Sequence, residues 1–128
     1  MSTGRCRVIL VPVGEPARVV EIEDGLRGLQ TALGGLVENI ARIPLGYRTG
    51  RTADLWADEE SRLKDLPENL TVVLPGYVGD VAGPIVVAAA DESNGETYSL
   101  TDTEIELLLA LIEMWPRDDG GAAPGGPQ

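Results

Sequence analysis

The chain has no histidine, no phenylalanine, one cysteine and one lysine among its 128 residues. Without histidine, the Ser-His-Asp and Cys-His nucleophile systems and imidazole metal sites are excluded. A lone cysteine, Cys6, cannot close an internal disulfide, and a structural zinc needs about four Cys or His ligands. Cys6 therefore reads as a small residue at a strand edge. With phenylalanine missing and aromatics at 4%, the core must be aliphatic. No stretch approaches the roughly 18 consecutive apolar residues of a membrane-crossing helix, and Met1 to Cys6 run into a strand-like segment without a signal-peptide core. The expectation is a cytoplasmic protein with no membrane partner. Neither G-x-x-x-x-G-K nor G-x-G-x-x-G occurs, so the common phosphate-binding fingerprints are missing too.

What the chain does have is acid, unevenly placed. Residues 1–52 carry seven Arg against five acids, whereas 53–128 carry 16 acids against Arg62, Lys64 and Arg117. The net charge of −11 thus resides almost wholly in the second part. Such a field repels nucleic acid, whose binding depends on neutralising phosphates, and attracts basic protein surfaces.

The order of elements follows from periodicity. Cys6 to Val13 is an apolar, β-branched run closed by Gly14-Glu15-Pro16, and Arg18 to Glu23 alternates with period two, so the two predict a hairpin. Asp24 offers a helix N-cap, with Leu26, Leu29 and Leu33 on one face until Gly34-Gly35 stops the helix. Leu36 to Ile43, Ala53 to Ala57 and Leu70 to Leu74 read as strands. Pro75 to Asp80 reads as a loop. Ile85 to Ala90 is continuously apolar, as expected of a central strand covered on both faces. Asn94-Gly95 marks a hairpin turn. Thr101-Asp102-Thr103-Glu104 has capping-box spacing and starts a helix that must stop before Pro116. Ile105, Leu108, Leu109 and Ile112 form its core stripe. Leu107, Leu111, Met114 and Trp115 widen the apolar surface beyond one face and are the candidate interface, including for self-association. The expected fold is α+β: a mixed or antiparallel sheet of five to six short strands, a helix after strand 2 and a C-terminal helix packed on the sheet. Residues 1–115 form the domain, and 116–128 form a disordered acidic and Gly-Pro tail.

Two constellations could carry chemistry. In the Gly-rich loop after Pro44, Tyr47, Arg48 and Arg51 bring a ring and guanidinium groups together, a combination suited to a nucleotide-like ligand. Asp58, Glu59 and Glu60 could hold a divalent cation, although consecutive side chains in a turn diverge. Asp91 to Glu96 lacks the spacing of a calcium loop. No cofactor or metal is predicted.

The succession V-I-L-V-P-V-G-E-P, V-E-I-E-D-G-L-R-G-L-Q-T-A-L-G-G-L-V-E, D-L-W-A-D-E-E-S-R-L-K-D-L-P-E-N, V-A-G-P-I-V-V-A and S-L-T-D-T-E-I resembles DUF3846, a family of small phage and bacterial proteins of unknown function. The resemblance spans roughly residues 7–113. Its most specific pieces are Gly34-Gly35 with Glu38, Leu66-Pro67 with Asn69, Gly83, and Ser99-Leu100-Thr101. At Glu60-Ser61 this chain departs from the glycine common in that turn. The resemblance implies a phage or mobile-element setting and adds Glu38 and Asn69 to the candidate ligand-binding residues. Together these readings predict a small acidic non-enzymatic protein that binds and modulates a host protein, with a defence or nucleic-acid enzyme as the candidate target. The alternatives are an oligomeric nucleotide-binding module and a carboxylate-metal enzyme.

Overall fold

In the computed structural model, residues 4–46, 50–91 and 96–117 are described. Two β-strands, β1 (Arg5–Val11) and β2 (Arg18–Glu23), precede helix α1 (Gly25–Leu33). Then follow β3 (Val37–Pro44), β4 (Arg51–Asp58), β5 (Glu68–Leu74), β6 (Tyr77–Ala82), β7 (Ile85–Asp91), the two-residue β8 (Thr97–Tyr98) and helix α2 (Asp102–Glu113). Every strand pairing is antiparallel, and the main sheet runs β2-β1-β7-β4-β3. The α+β expectation holds, with a helix after the second strand and a helix at the C-terminal end.

The apolar run Ile85 to Ala90 becomes the middle strand β7, and all six of its residues are buried. Alternate side chains feed two cores. On one face α1 sends Leu29 and Leu33 onto Cys6, Val8, Ile22, Val86 and Ala88. On the other, α2 and the β5–β6 hairpin cover Ile9, Val11, Leu55, Ile85, Val87 and Ala89. Leu55 and Trp56 belong to opposite cores, as their adjacent positions on β4 require. Beside β7, the short β8 continues the lane that β1 leaves: Val87 pairs with Ile9, whereas Ala89 pairs with Tyr98.

Four expectations need correction. Pro75 to Asp80 is not a loop. Pro75-Gly76 is a two-residue turn with Gly76 at φ 82°, and the chain returns at once as β6, in register with β5 through Val73 opposite Val78. Gly79 and Asp80 interrupt the apolar alternation of that strand, so its partner rather than its own pattern makes it a strand. Cys6 does not sit at an open sheet edge: at that end β1 pairs with β2 on one side, Arg7 next to it bonds with Ser99 and Leu100 on the other, and the Cys6 side chain is buried. Burial pushes its thiol pKa up, with help from Asp24's negative charge and partial relief from Arg5. The packed chain also extends beyond Trp115: Thr71 N donates to the Pro116 carbonyl, and Arg117 bridges to Leu70 while its Nη2 donates to the carbonyls of Pro12 and Glu15, both at 2.7 Å. Residues 118–128 and the Asn94-Gly95 turn lie outside the described residues. Finally, Leu26 turns outward from α1, leaving Leu29 and Leu33 as its buried anchors.

Candidate functional site

Arg51, expected to bind phosphate, is occupied within the fold. It opens β4 and forks onto Glu104 of α2, Nε to Oε2 at 2.7 Å and Nη2 to Oε1 at 3.0 Å, with a further bond from Nη2 to the Ser99 carbonyl at 2.6 Å. The same Glu104 Oε1 accepts the backbone N–H of Thr101 at 2.9 Å, and the Thr101 hydroxyl accepts from Glu104 N at 3.1 Å. The capping box is therefore complete, and Arg51 fastens it to the sheet. The hydrogen bond from Arg51 is the main cause holding the Glu104 carboxyl below its ordinary pKa, against the opposing effect of burial. Tyr47 and Arg48 lie outside the described residues.

Asp58 is likewise consumed by structure. Its Oδ2 accepts from Lys64 Nζ at 2.7 Å and its Oδ1 from Glu60 N at 2.8 Å, while Lys64 also donates to the Gly34 carbonyl at 3.2 Å. Burial alone would raise its pKa, but the bonds from Lys64 and the Glu60 amide outweigh burial and lower it. Among the described residues no group of three Cys, Asp or Glu side chains is placed to hold a metal ion. A second carboxylate that sequence reasoning passed over, Asp54, is buried on β4, bidentate to Arg42 at 3.1 Å and accepting from the Thr52 hydroxyl at 2.8 Å. Arg42 and Asp54 are direct cross-strand partners, so the pair also sets the register of β3 on β4.

Asn69 is an interior clamp. Fully buried at the β5 bulge, it donates from Nδ2 to the carbonyls of Val11 at 2.9 Å and Gly83 at 3.0 Å, and its Oδ1 has no hydrogen-bond partner among the described residues. This joins the hairpin to the end of β1 and makes the residue inaccessible to a ligand. Glu38 is exposed on the edge strand β3, beside a small cleft of about 170 Å³ that Ile40, Arg62, Tyr77 and Asp80 also line.

The four proposed interface residues of α2 divide. Trp115 is core: it is 4% exposed, and its Nε1 donates to the Val73 carbonyl at 2.9 Å. Leu107 and Met114 are 64% and 79% exposed, and Leu111 between them is half-buried. Positions i, i+4 and i+7 put these three on one side of the helix. Glu106 and Glu113 are exposed on the next sector, and the last turn of α2 contains no basic residue.

Residues 6–114 match the family model described as Domain of unknown function (DUF3846). The chain belongs to that family. Nothing among curated proteins or solved structures matches it. Glu38 aside, the pieces by which a DUF3846 protein is recognisable in this sequence prove to be joints of the fold. Gly34, at φ 89°, caps α1, and Gly35 leaves room for Lys64, whose Nζ lies 2.7 Å from where a Cβ would stand. Gly83 N donates to the Pro67 carbonyl at 2.8 Å, next to the Asn69 clamp. Ser99 accepts from Arg7 N at 2.9 Å, Leu100 N donates to the Arg7 carbonyl at 3.0 Å, and Thr101 caps α2. These motifs hold the elements of this chain together.

Proposed function

We propose that this chain is an acidic, non-enzymatic interaction module that docks a basic, amphipathic surface of a host protein through the Leu107, Leu111 and Met114 side of α2. One observation carries the reading: two large apolar side chains stand exposed on a helix that is otherwise fastened by a capping box, an Arg51 clamp and a buried Trp115. Isolated exposed apolar residues are ordinary, but three at helical spacing beside Glu106 and Glu113 match a partner helix carrying both leucines and lysines. A net charge of −11 opposes a second copy of the chain on the same surface. The acidity of residues 53–128 favours a partner that itself handles nucleic acid, and the family resemblance favours a phage or mobile-element setting with the chain acting in the host cytoplasm. The phosphate-ligand alternative loses support because Arg51 is held by Glu104 and Ser99.

The test is a titration of the labelled protein with a synthetic amphipathic Leu/Lys helical peptide, followed by amide chemical shifts. Changes should centre on Leu107 to Met114 and weaken with added salt. The L107E/M114E variant should keep its melting temperature and lose these changes. Equal binding by that variant, or changes centred elsewhere, would overturn the reading. Light scattering on the same samples decides against it if the protein is a dimer that L107E/M114E dissociates.

A further inference from the structure

On the face of the sheet opposite α2, α1 is too short to cover β4 completely. The uncovered ground is a cavity of about 500 Å³ lined by Asp24, Gly25, Leu26, Leu29, Trp56, Glu96 and Thr97. That is within the size range of small-molecule sites. Its floor is apolar: Leu29 is buried, Leu26 turns outward into it, and the half-buried Trp56 supplies the one aromatic wall. Trp56 Nε1 takes no hydrogen-bond partner among the described residues. Asp24 occupies the N-cap position of α1 yet makes no side-chain capping bond, so its carboxylate is not engaged by the helix it precedes. Glu96 also lies on the lining, and no Lys or Arg is among the described lining residues.

We infer that this cavity is a binding site for an organic cation, an ammonium or guanidinium on a short apolar stem, with Trp56 stacking against the head group, Asp24 facing its charge and Leu26 and Leu29 packing the stem. The chemistry selects the sign. An indole face attracts a cation, more strongly the more the pair is desolvated, and a carboxylate adds to that attraction. The first turn of α1 opposes it with the equivalent of about half a positive charge, which the full negative charge of Asp24 exceeds. An anion would gain the helix end but meet the carboxylate and the negative face of the ring.

The cation has two sources, a free small amine or a Lys or Arg side chain of a protein partner. Neither depends on the α2 surface, because the cavity lies on the other face of the sheet. The experiment follows the two indole N–H signals of the full-length protein by ¹⁵N-correlated NMR during titration with n-butylguanidinium, n-butylammonium, butyrate and the peptide acetyl-Leu-Arg-Leu-amide. The Trp56 signal should move with the cations and the peptide while that of Trp115, held to Val73, stays in place. A peptide that binds tighter than butylguanidinium identifies a protein-borne source, and the reverse order identifies a free amine. D24N, isosteric and itself a good N-cap, should leave the Trp115 signal unchanged and weaken cation binding about tenfold, as for the loss of 1.4 kcal/mol. A W56L variant, followed at the Thr97 amide, should weaken it several-fold. A Trp56 signal that never moves, moves as much with butyrate, or responds in D24N as in the parent would overturn the proposal. The L107E/M114E variant should bind the cations like the parent, so failure here is distinct from failure at α2.

Discussion

Glu104 combines a helix cap and an ion pair in one carboxylate, and its response to acid follows from that. Its folded pKa lies below the ordinary value of 4.5, and that of Asp58 lies below 3.8. As pH falls, the unfolded chain therefore takes up protons first, so both groups stabilise the fold fully at neutral pH and lose that effect as pH drops from about 5 through their lowered values. E104Q keeps the shape but not the charge. It should lower stability at pH 7 by about 1.5–3 kcal/mol, the range for a charged hydrogen bond, and flatten the loss of stability on acidification. Urea unfolding at pH 7 and pH 3.5 checks both. Asn69→Ala strands two buried carbonyls and should cost about 2–3 kcal/mol by the same measurement. Capping-box spacing made the Glu104 cap legible in the sequence. The Arg51 clamp was not, because it spans 53 positions and depends on how α2 lies over β4. Asn69, expected among the ligand-binding residues, is a clamp only because the bulge in β5 aims it inward.

At the scale of elements, close approach decides more than propensity. α1 touches β2 at Gly28, where a Cβ would stand 1.6 Å from the Glu23 carbonyl oxygen. Gly28→Ala should favour an isolated helix yet destabilise the protein by about 3 kcal/mol or more, since backbone must move to admit a methyl group. Removing the α2 cap with Thr101→Ala should cost less, about 0.5–2 kcal/mol. Thermal unfolding of the two variants side by side gives the order. Strands with strong patterns, β2 and β7, are readable directly, whereas β6 and β8 are too interrupted or too short to declare themselves and exist because β5 and β7 offer partners. Trp56 carried a usable signal. Next to a buried Leu55 on a strand, it had to emerge on the face that a nine-residue helix only partly covers.

For the whole molecule, the two faces of one sheet have separate fates. One carries α2, the hairpin and the strap formed by Trp115 to Arg117; the other carries α1 and the Trp56 cavity. Trp115→Ala removes both a core ring and the bond to Val73, and should cost about 3–5 kcal/mol and loosen the hairpin, visible as faster amide exchange along β5. L107E/M114E should change stability by no more than about 0.5 kcal/mol, because those side chains are exposed. The sequence by itself determined the aliphatic core, the acid-rich second part, the central strand, both helices and the family, since these depend on composition, periodicity and neighbours within one turn. Only the tertiary structure decided which arginine is occupied, which asparagine is buried, which of four apolar residues on α2 faces inward and where a cavity opens. Each of those outcomes rests on contacts between residues far apart in the chain, whose meeting is fixed by strand order and helix placement, which local pattern does not encode.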